Sequence, residues 1–451
     1  MSSHFIDYQI LGDDFGTAEM RTIWSEKNRI QKQLDVEAAL AKTEARMEII
    51  PEEAAKRIAA TAFVSRLNME KIREETAKSG HSLFGTIKAL QIAAGESGEY
   101  VHYGVTTQDI VDTGQVLQIK ESLDWILPEI NAIIEQLIII SEFYKDTEMA
   151  GRTHGMQAIP ITFGFKLARY LDEYVRHYQR LNENRSSVLT GNISGAVGTY
   201  ASLGLIGIDV EKGTLAELGL NTPTVSWQSS PDRIVEYAHI LALISATTGK
   251  IAHEFFTLMR DEINELEEPF QLGKIGSSTM PHKRNPALLE GIASLTQPVY
   301  HAEALIENAL VVDGERDAIS LRSEWIGLPE IHIYLSYQLK SILKIFKGLV
   351  VKPGNMKKNL AIHSELLFSE KVLFLLSSRI GKQTAHQIVY QAAMESIETG
   401  ASFQRLIEDQ EEVKKYFSEE QLRQAFQLGT IFEPIYKKIE NVIERAKRVL
   451  Q

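Results

Sequence analysis

The chain has 451 residues, 44% hydrophobic and 24% charged, the balance of a soluble globular protein but too long for one hydrophobic core, which stops growing near roughly 250–300 residues. Its formal net charge of −12 argues against a nucleic-acid surface, which needs a clustered basic face, yet leaves room for a few buried Arg and Lys side chains to dominate one anion-binding pocket. With no cysteine, disulfides, thiolate catalysis, zinc fingers and iron–sulfur clusters are all excluded.

The first residues, MSSHFIDYQILGDDFG, carry early acids and no basic-then-apolar signal pattern. No run approaches the ~20 apolar residues that span a bilayer. The longest apolar stretch, Ile133 to Ile140, is interrupted by Glu135 and Gln136. These features predict a cytoplasmic protein with no membrane partner. Residues 23–48 place apolar side chains at helical spacing among charges, and Pro51 starts a second helix, where a first-turn proline lacks only an N–H that had no partner. Residues 120–144 form a long apolar-striped segment, and 191–204 (GNISGAVGTYASLG) read as a loop.

The stretch from Pro231 to Leu266 predicts one long helix. Ser230 suits its cap, Pro231 its first position, and Asp232 the positive end of its dipole. Gly249 is its only weak point. At 1.5 Å per residue it would be roughly 54 Å long. Its stripe (Ile234, Tyr237, Leu241, Ile244, Ile251, Phe255) is wide enough for a bundle, and bundles of such length often form between subunits. Strand signals are few. The expected class is all-α: an N-terminal helical domain over 1–112, a central long-helix bundle over 113–360 and a C-terminal helical domain over 361–451.

Four segments carry chemistry. Gly276-Ser277-Ser278-Thr279-Met280-Pro281-His282-Lys283-Arg284-Asn285-Pro286 pairs a pliable serine with a cation, and a cation that stabilises an alkoxide makes a serine a workable base. On residue types alone, it better suits a surface loop leading into a capped helix, with Asn285 as the cap. In the segment from Val101 to Thr113, Thr106, Thr107 and Gln108 offer donors at a helix start, where the dipole favours an anion; Asp109 there also reads as an ordinary first-turn acid. Gly151-Arg152-Thr153-His154-Gly155 sets a histidine between Thr and Gly, as a proton carrier or as a structural hydrogen-bonder at a helix start. In Glu315-Arg316-Asp317 through Arg322, either arginine could clamp a carboxylate or phosphate, or merely pair along a helix face. No HxxxH or HExxH spacing occurs, so no metal is expected. No redox cofactor is expected either.

The Ser277 run resembles the signature GSSxMPxKxNP of the fumarase/aspartase superfamily of lyases, and the Thr106 and His154 segments resemble that family's other two motifs, in family order and spacing. The resemblance implies a helical fold with a central long-helix bundle shared in a homotetramer, each site built from three subunits. It implies a small carboxylate substrate and an anti β-elimination that typically yields fumarate. Ser277 would be the base. Lys283, Asn285 and the donors around Thr106 and Thr107 would stabilise the enediolate-like anion, and His154 would assist the leaving group. Ser278, Met280, Thr153, Gln108, Arg316 and Arg322 would line the substrate. His81 falls where adenylosuccinate lyases carry a second active-site histidine.

Within the superfamily the sequence sits between two branches. The THG histidine, His81 and the PHKRNP ending resemble adenylosuccinate lyases. Yet Asp14-Phe15 stands where those enzymes usually carry an Arg-Tyr pair for the nucleotide phosphate, and Ala318-Ile319-Ser320-Leu321 stands where they carry Ser-His-Ser-Ser. The start, the LDVEAALA run, Thr107-Gln108-Asp109 and Glu324-Trp325 resemble 3-carboxy-cis,cis-muconate cycloisomerases, which close a lactone. A lyase for another substituted succinate is the third reading, and a non-catalytic structural or metabolite-sensing member the fourth.

Overall fold

Helices account for most of the chain in the computed structural model, which describes residues 3–270, 279, 280, 282–428 and 431–451. Short helices come first: α1 (Ala18–Ile23), α2 (Glu26–Arg46), α3 (Glu52–Thr61), α4 (Met69–Ser79) and α5 (Phe84–Ala94). Their ends follow from local chemistry. The Thr17 and Ser25 hydroxyls accept N–H groups of α1 and α2, Asn68 does the same for α4, and Gly80 closes α4 in the left-handed conformation.

Then comes α6 (Thr107–Phe143), at 37 residues the longest helix described, and a β-hairpin of β1 (Glu148–Thr153) and β2 (Met156–Thr162). There follow α7 (Phe163–Val188), α8 (Ile206–Glu217), α9 (Asp232–Met259) and β3 (Leu266–Glu267). Next are α10 (Ala287–Ser294), α11 (Thr296–Glu307), α12 (Ala318–Gly348), β4 (Val350–Val351) and α13 (Pro353–Leu360). Six helices finish the chain: α14 (Ser369–Ile380), α15 (Lys382–Thr399), α16 (Phe403–Glu408), α17 (Glu411–Lys414), α18 (Glu419–Ala425) and α19 (Glu433–Leu450). Among the described residues, no helix is long and apolar enough to cross a membrane.

The chain divides into two compact units. The first takes residues 1–132, 176–253 and 287–343. The part of α6 inside it is buried on nearly every side: Ile110, Val116, Ile119, Leu123, Ile126 and Ile130 are covered, and so are the polar Asp109, Asp112 and Gln115, as expected of a helix at the centre of a bundle. Pro128 in α6 and Pro329 in α12 each delete one backbone donor, a loss of about 3 kcal/mol that this burial must outweigh. Gly249, the weak point of the sequence pattern, is a packing device: a Cβ there would stand 2.1 Å from Thr296 Oγ1 on α11. The second unit takes residues 133–175, 254–286 and 344–451. Phe163, Tyr170, Phe255 and Phe346 form an aromatic cluster in it. Leu376, Ile388, Phe403 and Ile407 lie in a second cluster among the C-terminal helices.

Two sequence expectations are corrected. The helix predicted from Pro231 to Leu266 stops at Met259. Asn264 takes φ 49°, Glu265 N–H returns to Leu258 O at 2.8 Å, and residues 266–267 pair antiparallel with 350–351. The apolar period could not reveal this, because the break serves a buried carboxylate, Glu265, described below. Residues 148–162, where a helix start was one reading, form the hairpin instead.

Candidate active site

The head of α6 collects one group of side chains. Thr106 N–H donates to Asp109 Oδ2 at 3.0 Å, the reach-back of a first-turn acid to the start of its helix. Thr106 Oγ1 accepts from Arg316 Nη1 at 2.9 Å. Thr107 Oγ1 lies 3.2 Å from His81 Nε2, His81 being carried there just after the left-handed Gly80. Four residues from three distant segments thus meet within the first unit: His81, Thr106 with Thr107, and Arg316. Their exposed hydroxyls, imidazole and guanidinium at a helix N-terminus suit a carboxylate.

Asp109 holds this arrangement from beneath. It is fully buried and accepts five N–H donors: Asn192 Nδ2 (3.0 Å), Ser194 N (3.0 Å) and Gln228 Nε2 (2.9 Å) on Oδ1, and Gly195 N (2.9 Å) and Thr106 N (3.0 Å) on Oδ2. Burial pushes its pKa up to about 6, against the pull of its backbone donors and of His102. The glycine-rich loop 191–204 is therefore an anchored strap: Asp109 takes the N–H groups of Ser194 and Gly195, Glu211 Oε1 that of Ile193 at 2.8 Å, and Thr113 Oγ1 that of Asn192 at 3.1 Å. His102, at φ 63°, is fixed by Glu37: its N–H donates to Oε2 at 3.0 Å and Nδ1 lies 2.7 Å from Oε1. Burial works against a charged His102, but the Glu37 carboxylate outweighs it and raises the pKa.

Deeper along α6 the polar groups are buried. Gln108 is 5% exposed, and its neighbour Asp112 has no donor in hydrogen-bond geometry on either carboxyl oxygen. Burial, then the nearby Glu324, drives the Asp112 pKa well above the carboxylate range. Glu324 accepts from Gln115 Nε2 at 2.7 Å and is pushed up to about 7 by burial. Arg322, one turn into α12, is exposed, and its guanidinium meets no acceptor among the described residues.

The second unit carries the remaining candidates. His154 and Gly155 are the two-residue turn between β1 and β2, at φ 53° and 78°, and Thr153 pairs with Met156 across it. This double left-handed turn presents the His154 side chain at an exposed tip. Beside the turn the hairpin is tied down by Arg152, which lies opposite Gln157 and whose fork grips Glu265 (Nη1–Oε2 3.0 Å, Nη2–Oε1 2.6 Å). Glu265 is fully buried and also accepts from Asn359 Nδ2 at 2.9 Å. Met280, Lys283 and Asn285 are exposed on the segment leading into α10, with Lys283 N–H bonded to Met280 O at 3.0 Å. Ser277 and Ser278 lie outside the described residues.

Sequence reasoning missed Asp109 as a hub, Asn192 and Gln228 as its partners, and Glu265 as the anchor of the His154 hairpin. No local signal marked these roles, because each rests on a partner distant in the sequence.

Residues 15–300 match the family described as "Lyase", and residues 365–442 the family described as "Adenylosuccinate lyase C-terminus". The chain is 53% identical to an N-acetyl-S-(2-succino)cysteine lyase of Dickeya dadantii, with 90% of each protein covered. It is 38% identical to an adenylosuccinate lyase of Pyrococcus horikoshii, with 100% of each covered. Among solved structures, the 3-carboxy-cis,cis-muconate lactonizing enzyme of Pseudomonas putida superposes with a TM-score of 0.90 at 30% identity, over 98% of this chain and 100% of that one.

Proposed function

For a chain that belongs to the fumarase/aspartase superfamily and is a fumarate-releasing lyase of it, we propose that the bond broken is the C–S bond of an N-acylated S-(2-succino)cysteine. The observation that carries this reading is the 53% identity to the Dickeya dadantii enzyme. The sequence supports it from the other side. An AMP-type substrate needs a phosphate site, and Asp14-Phe15 and Ala318–Leu321 replace the two segments that would supply one. Phe15 is instead engaged with the Phe5 ring at 4.9 Å. Lactonisation is the weaker reading, since its structural relative is only 30% identical.

Ser277, as base, removes a proton from the methylene carbon of the succinyl group. The electron pair moves onto that carbon's carboxylate as an enediolate, held by Lys283, Asn285 and the donors at Thr106 and Thr107. Collapse of the enediolate forms the C=C bond of fumarate and expels the sulfur with its bonding pair. The thiolate then takes a proton, from His154 or water, and Ser277 returns its proton to solvent. A cysteine-type thiol, with a pKa near about 8.5, leaves far more readily than an unprotonated amine, so His154 need only orient it. The cytoplasmic setting and the homotetramer with sites drawn from three subunits belong to the same proposal.

The test offers purified protein N-acetyl-S-(2-succino)cysteine, S-(2-succino)cysteine, adenylosuccinate and 3-carboxymuconate. Fumarate is followed in the ultraviolet and free thiol with a disulfide-exchange dye. The chain has no cysteine, so the dye reads product with no background from the enzyme. Equal release of fumarate and thiol, abolished in Ser277→Ala, is the expected result. Fumarate from adenylosuccinate with none from either thioether would overturn the substrate reading. An active monomer in light scattering would overturn the shared-site reading.

A further inference from the structure

Beside the head of α6, the first unit contains a cavity of about 770 Å³, within the range of small-molecule sites. Its wall includes Trp24 and Arg29 from the start of the chain, Ser82, Gln115 from α6, and Trp325 from α12. It meets the candidate site at Ser82 and runs from there along α6. Ser82 follows His81, and Gln115 lies eight residues along α6 from Thr107, about 12 Å at helical rise.

Arg29 is the unusual group in this wall. Its guanidinium lies over the Trp325 indole, 4.3 Å from the ring centroid, and hydrogen-bonds to no acceptor among the described residues. The Trp325 indole N–H is likewise buried without an acceptor. The other arginine of the wall, Arg73, faces Glu70 at 3.8 Å. A guanidinium held over an indole keeps N–H donors for one planar, two-oxygen acceptor. Burial lowers the Arg29 pKa, while Glu26 and Asp112 support its charge.

We propose that this cavity receives the leaving-group half of the substrate and that Arg29 grips its carboxylate, with the indoles of Trp24 and Trp325 covering the acylated amine. This rests on the thioether reading above, whose leaving group is an N-acylated cysteine with a single carboxylate. Arg29 is then a specificity-determining residue: it sorts succinyl thioethers by the presence of a carboxylate on the sulfur side.

The experiment compares N-acetyl-S-(2-succino)cysteine with its counterpart lacking that carboxylate, N-acetyl-S-(2-succino)cysteamine, in wild type, Arg29→Met and Arg29→Lys. In parallel, calorimetry measures binding of the bare leaving groups, N-acetylcysteine and N-acetylcysteamine. Wild type should favour the carboxylate substrate by about 10–100-fold in kcat/KM, mainly through KM, the usual worth of one charge-assisted pair. Arg29→Met should erase that preference, bringing kcat/KM for the two compounds together, and Arg29→Lys should keep part of it. Equal use of both thioethers by wild type would overturn the proposal while leaving the thioether reading standing. Were neither thioether turned over, the thioether reading would fail; N-acetylcysteine binding that needs Arg29 would still uphold the carboxylate site, and its absence would sink that too. The wild-type comparison needs no variant to fold.

Discussion

His81 Nε2 and Thr107 Oγ1 stand 3.2 Å apart, although 26 positions separate them in the chain. The contact joins a histidine just past the end of α4 to the first residue of α6, and both side chains reach solvent. A structural role would leave an exposed pair with little energetic weight. We therefore expect His81→Asn to move unfolding free energy by no more than about 0.5 kcal/mol, while lowering kcat/KM on the succinyl thioether by about 10²-fold. Denaturant unfolding and steady-state kinetics on one preparation check both halves. Unchanged turnover would remove His81 from the site.

His154 should show the opposite coupling of stability and activity. At φ 53° a histidine sits in a left-handed conformation that costs a non-glycine residue roughly 1 kcal/mol, and asparagine tolerates it better. His154→Asn should therefore raise stability by a few tenths of a kcal/mol, on the order of the strain relieved. Turnover of the thioether should fall only about tenfold, short of the 10²–10⁴ typical for loss of a general acid, because a thiolate needs little help to leave. A larger loss would show that His154 protonates the sulfur in the rate-limiting step.

Arg152 anchors the hairpin through Glu265, whose carboxylate is wholly buried. Arg152→Met would leave that charge with the Asn359 amide as its remaining side-chain donor, a loss of about 3–5 kcal/mol. The double variant Arg152→Met/Glu265→Leu should recover a good part of it, since it removes the stranded charge as well. Chemical denaturation of the single and double variants decides this. A double variant no better than the single one would mean the pair acts through backbone geometry alone.

Glu324 makes a prediction about pH. Burial lifts it from 4.5 to about 7, so the native state holds its proton more tightly than the unfolded chain. Its contribution to stability is full below pH 4.5, falls as pH rises towards 7, and is lost above. At about 1.4 kcal/mol per unit, the swing is about 3 kcal/mol. Asp112, raised by burial and by Glu324 itself, acts in the same direction. Glu324→Gln should thus match wild type near pH 5 and exceed it near pH 8 in thermal unfolding. Parallel profiles would mean that the carboxyl finds a counter-charge in the working protein.

The motifs themselves were legible because their chemistry is local. The Ser277 run, the Thr106-Thr107 pair and the Thr153-His154 pair each need specific residue types at adjacent positions. Helical class was legible for the same reason, since the apolar period is a property of neighbours three and four apart. Caps such as Ser25 and the stop at Gly80 are equally local. The sequence alone thus determined a helical lyase of the fumarase/aspartase superfamily.

Tertiary structure decided what depends on partners distant in the chain. The hairpin at His154 needs Glu265 to grip Arg152, 113 positions away, and the same carboxylate ends α9 seven residues short of the predicted limit at Leu266. Loop 191–204 is ordered by Asp109, and Arg29 becomes distinctive only once Trp325 lies beneath it without an acceptor nearby. Local period and propensity carry no information on where a buried charge finds its counterpart, because that pairing follows from which surfaces are removed from water together.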